Sequence, residues 1–325
     1  MTDATTTPTT SEPTTETPAW LPLAAVACTL VFWASAFVAI RHLGHDFSAG
    51  SLSLGRLLVG SVCLAVVALS RGVVRPTRSE WVPLVVIGLL WFGLYNVALN
   101  AGERMVDAGT AAMLIQVSPV LIALMAALFL SERFTVQLGI GLALAFGGVA
   151  LIAFSTSPSD NFGGRSYAVG VLLCLVSAVA YSISLILQKP LVGRLSAVQV
   201  TWLACTIGAI GCLPFTGDLV TEVQEAPASS IWWLVYLGVF PTAIAFTTYA
   251  FALKHMSASS LGVTTYLVPP ITIVLGVVFL SEAPPTMAYA GGALALVGVA
   301  VARRKPRART TAAEVAQPET AALHR

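Results

Sequence analysis

The chain contains the same stretch twice. Shifted by 150 residues, Pro119–Ala150 lies over Pro269–Ala300, and twelve of the 32 aligned positions are identical. The identities include an unbroken Phe129-Leu130-Ser131-Glu132 over Phe279-Leu280-Ser281-Glu282. Each copy is almost wholly apolar and long enough for five spans of roughly 20 residues. An odd number of spans turns the second copy upside down relative to the first. Inverted repeats are the plan on which secondary transporters are built, with the substrate site near the bilayer midplane where the copies meet. The expected fold is therefore all-α integral membrane, with ten transmembrane helices as two inverted five-helix repeats.

Composition points the same way. Hydrophobic residues make up 57% of the 325, charged residues 10%, and the mean hydropathy is +0.85. A soluble domain carries about 25% charged residues, so most of this surface faces lipid. The net charge of +2 gives no ground for a nucleic-acid partner, because topology places the charges. The expected partners are the lipid bilayer and a small-molecule substrate, and the sequence leaves a homodimer open. Cys28, Cys63, Cys174, Cys205 and Cys212 fall in apolar runs without metal-ligand spacing, so no metal and no disulfide is expected. No cofactor motif is present either.

Apolar runs separated by charged or Pro/Gly/Ser-rich breaks predict helices at about 20–41, 48–70, 81–101, 106–130, 135–154, 167–188, 197–216, 230–252, 257–280 and 286–302. Residues 1–18, rich in Thr and acids, read as a disordered cytoplasmic tail, and no basic segment marks them as a signal peptide. The first repeat covers 19–154, an external loop 155–166, the second repeat 167–303, and a basic cytoplasmic tail 304–325. With both termini cytoplasmic, thirteen of the 17 Lys and Arg lie inside, and only Arg41, Arg104 and Arg165 lie outside. That bias obeys the positive-inside rule. The expected site is a multi-pass protein of the cell (plasma or inner) membrane. The segment 217–229 reads as an acidic outer loop.

The chain resembles the EamA-type drug/metabolite transporters. The Phe-Leu-Ser-Glu ends of the fourth and ninth helices, the Trp33-Ala34-Ser35-Ala36-Phe37 run, Arg56 early in the second helix and the Gly/Ala-rich fifth and tenth helices carry the likeness over about 19–303. The resemblance implies a ten-helix exporter of two five-helix repeats. It spans carriers of amino acids, drugs and nucleotide sugars.

Polar groups inside a membrane helix belong against another helix or a wet cavity. In the sixth helix Ser177, Tyr181, Ser184 and Gln188 fall on one stripe. At an offset of 148, Thr29 lies under Ser177 and Trp33 under Tyr181. The stripe is either cavity lining or helix–helix bonding by small hydroxyls. Asn96, Asn100 and Glu103 share a face of the third helix, bordered by Tyr95. Glu103 faces an outer vestibule or pairs with Arg104 in an exposed loop. Gln116, one turn before Pro119, has Tyr266, one turn before Pro269, as its repeat mate. Thr242, Phe246 and Tyr249 add a stripe from the eighth helix. These residues predict an aromatic, amide-lined chamber for a zwitterionic or amphipathic solute. Trp33, Tyr181, Ser184, Asn96, Asn100, Gln116, Tyr249, Tyr266 and Arg56 are its expected substrate contacts. Arg56, the one basic residue well inside a span, meets a substrate carboxylate, snorkels to the outer headgroups or pairs structurally.

Pro119 and Pro269 are expected to bend matched helices and act as hinges. Ser131-Glu132 and Ser281-Glu282 read as caps and packing for the fifth and tenth helices. His42, His45 and Asp46 read as a solvated outer loop.

No nucleophile elbow, paired acid motif or His-Glu metal motif is present, so the chain does not read as an enzyme. The expected function is secondary transport, by alternating access, of an amino acid or related amphipathic compound, most simply outward. A drug or nucleotide-sugar carrier of the same fold is the nearest alternative, and a non-transporting scaffold the alternative from another class.

Overall fold

A computed structural model describes residues 20–129, 136–153, 164–256, 261 and 264–302, and every regular element among them is helical. The expected tails, the loop up to residue 163 and Ser131-Glu132 lie outside the described residues. The elements are α1 (Trp20–Leu43), α2 (Ala49–Arg71), α3 (Arg78–Gly102), α4 (Ala108–Ile115), α5 (Ser118–Phe129), α6 (Val136–Ala153) and α7 (Gly164–Arg194). They continue with α8 (Ala197–Gly211), α9 (Thr216–Glu225), α10 (Ala228–His255), α11 (Val268–Leu280) and α12 (Thr286–Ala302). Five described helices, α1, α2, α3, α7 and α10, are long and apolar enough to cross a membrane, and α8 with α9 makes six if that 55° bent pair is one span. The remaining apolar helices are shorter.

Three departures from the expected helices have physical causes. The expected fourth helix breaks after Ile115, and the ninth passes through a short 3₁₀ turn, Thr265–Leu267, before α11. A proline ring clashes with the carbonyl four residues back and supplies no N–H. For Pro119 that carbonyl is Ile115's, and for Pro269 it is Thr265's, so each proline sits in the first turn of the piece that follows.

The second departure is a π-helical stretch within α3, Gly88–Leu94, and another within α10, Gly238–Ile244. They lie 150 residues apart, the offset of the sequence repeat. In each, a side chain donates to backbone carbonyls of the stretch or of the residue before it. Asn96 Nδ2 donates to Trp91 O (3.3 Å) and Phe92 O (2.8 Å), and Thr242 Oγ1 donates to Leu237 O at 2.8 Å.

The third is α9, an amphipathic helix where an acidic loop was expected. Its Glu222 accepts from Ser48 N at 3.0 Å and from the Ser51 hydroxyl, tying it to the first turn of α2.

The two repeats are interlocked. α1 packs against α10 and α11 of the other copy, and its counterpart α7 packs against α3, α4 and α5. α2 meets the π-stretch of α10 while α8 meets that of α3. Glycine makes these crossings close. A Cβ on Gly208 falls 2.4 Å from Phe92 Cβ, and one on Gly238 falls 2.5 Å from Val59 Cβ. α6 and α12 form a separate pair in which a Cβ on Gly148 meets Gly291 O at 2.4 Å.

Each end of the bundle has its own polar ties. At one end Arg194 of α7 bonds Glu80 of α3, and Gln199 of α8 holds the backbone of Val74. At the other, Arg41 of α1 pairs with Glu282 after α11 (3.0 Å), and Ser230 donates to Asp46. Ser281 ends α11 in the left-handed region (φ 53°) instead of capping α12. Asp46 is thus a structural acceptor, and no cluster able to hold a metal occurs among the described residues. All five cysteines are free. Between the ends, Val62, Val66, Leu69, Val274 and Val278 are exposed on the outer face of the bundle, where a bilayer's acyl chains solvate them.

Candidate functional site

A central cavity of about 50 Å³ lies where the repeats meet. α1 contributes Trp33, Phe37 and Ile40 from one stripe, and α3 contributes Trp91, Tyr95 and Leu99 at intervals of four. Arg56 enters from α2, Tyr181 from α7 and Phe246 from α10. Gln116 and Thr265 come from the two helix breaks.

Those breaks touch. Gln116 Nε2 donates to Thr265 O at 2.6 Å, and Thr265 Oγ1 donates to Gln116 Oε1 at 3.3 Å. A backbone carbonyl released by proline 269 is therefore satisfied by the matching break of the other repeat.

The floor of the chamber is aromatic. The Trp33 ring lies 4.8 Å from Tyr249 and 5.4 Å from Phe246, and Trp91 lies 5.0 Å from Tyr181 and 5.1 Å from Phe246. Tyr181 and Tyr249 share a hydroxyl–hydroxyl bond of 3.0 Å. The indole Nε1 of Trp33 is buried without a hydrogen-bond partner among the described residues.

Arg56 is 4% exposed and does not snorkel. Its Nε donates to Thr242 Oγ1 at 3.1 Å, and among the described residues no carboxylate lies within ion-pair distance. The described chamber lining includes no acid. A fixed cation in an aromatic cavity attracts anions and orients a carboxylate.

Of the expected contacts, Trp33, Arg56, Gln116 and Tyr181 line the chamber, and Tyr249 supports it from behind Trp33 and Tyr181. The others sit elsewhere. Asn96 is spent on the π-stretch. Asn100 Nδ2 donates to Ser53 Oγ at 2.8 Å and joins α3 to α2. Ser184 is buried on α7 outside the lining, and Ser177 donates to Tyr95 O at 3.2 Å as helix–helix glue. Thr29 likewise bonds Thr248 at 2.8 Å. Tyr266 packs with Val120, Ala145 and Val299, because the 3₁₀ turn swings it away and presents Thr265 in its place.

Glu103 is not an exposed loop acid paired with Arg104. It is fully buried. Trp91 and Thr265 are chamber residues that the sequence reading passed over. Trp91 stands four and eight residues from Tyr95 and Leu99, but the apolar spacing was overshadowed by the amides beside it.

Comparison with known proteins places the chain among transporters. Residues 20–154 and 168–304 each match the EamA-like transporter family. A protein of Streptantibioticus cattleyicolor named "Probable terminal-alkyne amino-acid exporter" is 37% identical over 88% of this chain and 94% of its own length. The Bacillus subtilis "Uncharacterized transporter YdfC" is 29% identical over 82% of this chain and 86% of its own. A crystal structure 21% identical in sequence superposes with a TM-score of 0.59, covering 87% of this chain and 96% of that one, a likeness of fold alone.

Proposed function

This chain belongs to the EamA-like transporter family, and we propose that it exports α-amino acids or closely related amphipathic metabolites by alternating access. It is a multi-pass membrane transporter, not an enzyme. The observation that carries the substrate reading is Arg56, a buried cation in an aromatic chamber with no acid in its described lining and no carboxylate in ion-pair reach among the described residues. A substrate carboxylate supplies the missing charge through a charge-assisted hydrogen bond, and Trp33, Trp91, Tyr181 and Phe246 surround its apolar or ammonium-bearing remainder. The name of the 37% identical relative supports the same class.

The reading includes ten spans, with the shorter helices α4–α5, α6, α11 and α12 completing each set of five, and both termini cytoplasmic. The pairing of chain ends supports it, since Arg194–Glu80 and Arg41–Glu282 fall at opposite ends of an up-and-down bundle. Trp20 and Trp81 near one end, and Trp232 and Trp233 near the other, are exposed as interfacial anchors are. In this reading the breaks before Pro119 and Pro269 are the hinges, and their mutual hydrogen bonds couple the two repeats.

Liposomes loaded with a panel of amino acids and with cationic drugs test the substrate class. The expected result is efflux of amino acids, abolished by Arg56→Gln in protein that still elutes as a folded species. Efflux of cationic drugs with Arg56→Gln at parent rates overturns it.

A further inference from the structure

A second cavity of about 590 Å³, larger than the chamber, is a groove on the flank of the bundle between α1, α10 and α11. It lies toward the Arg41–Glu282 end, and its span from Ser35 to His42 on α1 gives it a depth of about 10 Å at 1.5 Å per residue. No described residue lines both cavities: α1 turns Phe37 and Ile40 to the chamber and Val38, Ala39 and His42 to the groove. Trp232 is 72% exposed and Phe279 69%, so the groove opens sideways, toward the bilayer around the bundle.

The inner part of the groove is a floor of apolar groups. Val38, Leu275 and Phe279 line it with Tyr236, whose ring lies 5.4 Å from Trp233 and 5.1 Å from Phe240. The hydroxyls of Ser35 and Tyr236 are bonded to each other at 2.6 Å and ask nothing of an occupant. The outer rim differs. His42, Ser229, Trp232 and Trp233 put hydrogen-bond donors there, and no acid is in the described lining. Asp46 and Glu282, which flank the rim, already accept from Ser230 and Arg41. Arg104 adds an exposed cation two residues along from His42, since a Cβ on Gly44 would lie 3.5 Å from Arg104 Cγ.

We propose that this groove is a binding site for one phospholipid, with an acyl chain along the apolar floor and the phosphodiester at the donor rim. Water in an apolar slot of that depth is costly. The molecule at hand is a lipid of the leaflet at this end of the bundle, the outer one in the topology given above. Its phosphate oxygens are acceptors and carry negative charge, which the rim answers with donors and Arg104. Rings and branched side chains suit a methylene chain, which asks for contact and no hydrogen bond. The site also straddles the repeats. α1 belongs to the first copy and α10 and α11 to the second, so the lipid chain fills a seam between them. It stands apart from the amino-acid reading, because no chamber residue takes part.

The test is native mass spectrometry of the full-length protein, extracted in detergent and titrated with dioleoylphosphatidylglycerol or with dioleoylglycerol, which has the same chains and no phosphate. The parent is expected to saturate with one phospholipid and to bind dioleoylglycerol about tenfold more weakly, the worth of one charge-assisted hydrogen bond. Leu275→Trp, which fills the floor, is expected to weaken the phospholipid at least about tenfold. His42→Ala, a change at an exposed position, is expected to weaken the phospholipid about threefold while dioleoylglycerol binds as before. Equal binding of the two lipids by the parent overturns the proposal, as does a Leu275→Trp protein that melts like the parent and still holds the phospholipid. Should Leu275→Trp not fold, His42→Ala with the parent's preference for phosphate overturns it alone. Lipids that load without a plateau at one mark ordinary solvation by the bilayer and overturn it too. A lipid-free dimer puts a second copy in the groove, and displacement of the lipid by L-leucine gives the groove to the substrate's path. Either result overturns the phospholipid site and leaves the amino-acid reading standing.

Discussion

Arg56 is the residue whose surroundings depart furthest from what its chemistry demands. A guanidinium has five donors, and here the Nε donates to a threonine hydroxyl while no carboxylate lies in ion-pair reach among the described residues. Around it the chamber is built from rings, and the two most central in sequence terms, Trp33 and Tyr181, arrive from opposite repeats. Replacing either with Ala should cut transport several-fold, through loss of stacking or cation–π contact of about 0.5–2 kcal/mol each, while folded yield stays near the parent's. Transport rates normalised to folded protein in the membrane check this. Parent rates from both variants mean that the rings only pack. Both residues were legible in the sequence because aromatic groups sat at repeat-equivalent centres of polar stripes. The roles of Asn96 and Asn100 were not, because an Asn that binds a substrate and an Asn that binds another helix or a backbone carbonyl look alike until the backbone is seen.

The π-stretches decide that question at the scale of the element. Asn96 serves the carbonyls of Trp91 and Phe92, and its counterpart duty in α10 falls to Thr242. Asn96→Ala should therefore lower stability by about 1–3 kcal/mol, the cost of two lost buried hydrogen bonds, and leave substrate affinity unchanged. A thermal melt and a binding titration on the same preparation separate the two effects. Thr242→Val should move both, since Thr242 also holds Arg56. Affinity lost with Asn96→Ala while the melt is unchanged returns Asn96 to the substrate site. Proline positions foretold the helix breaks, since the clash with the carbonyl four residues back is local chemistry. The π-stretches carry no comparable residue signature beyond the matched Gly88 and Gly238.

For the whole molecule, the repeat offset organises the packing as well as the sequence. α1 docks into the second copy and α7 into the first, so neither repeat buries its leading helix alone. The topology proposed here places Arg75 inside and Glu225 outside, both exposed. With Cys28 and Cys63 replaced, a single cysteine at Glu225 should react with a membrane-impermeant maleimide added to intact cells, and one at Arg75 only after the membrane is opened. The reverse pattern inverts the orientation, and labelling of both from outside removes the ten-span count.

The membrane class, the two repeats, the places of the helices and the breaks before Pro119 and Pro269 are written in the sequence, because hydropathy, repeat identity and proline sterics are local properties of the chain. What only the tertiary structure decided is which polar groups meet. Gln116 joining Thr265, Asn100 joining Ser53 and the Glu103 carboxylate left without a hydrogen-bond partner among the described residues all depend on how helices far apart in sequence cross. Those crossings depend on close approaches such as Gly208 to Phe92 and on ladder shifts that rotate one half of a helix against the other. A stripe read at 100° per residue cannot register such a rotation.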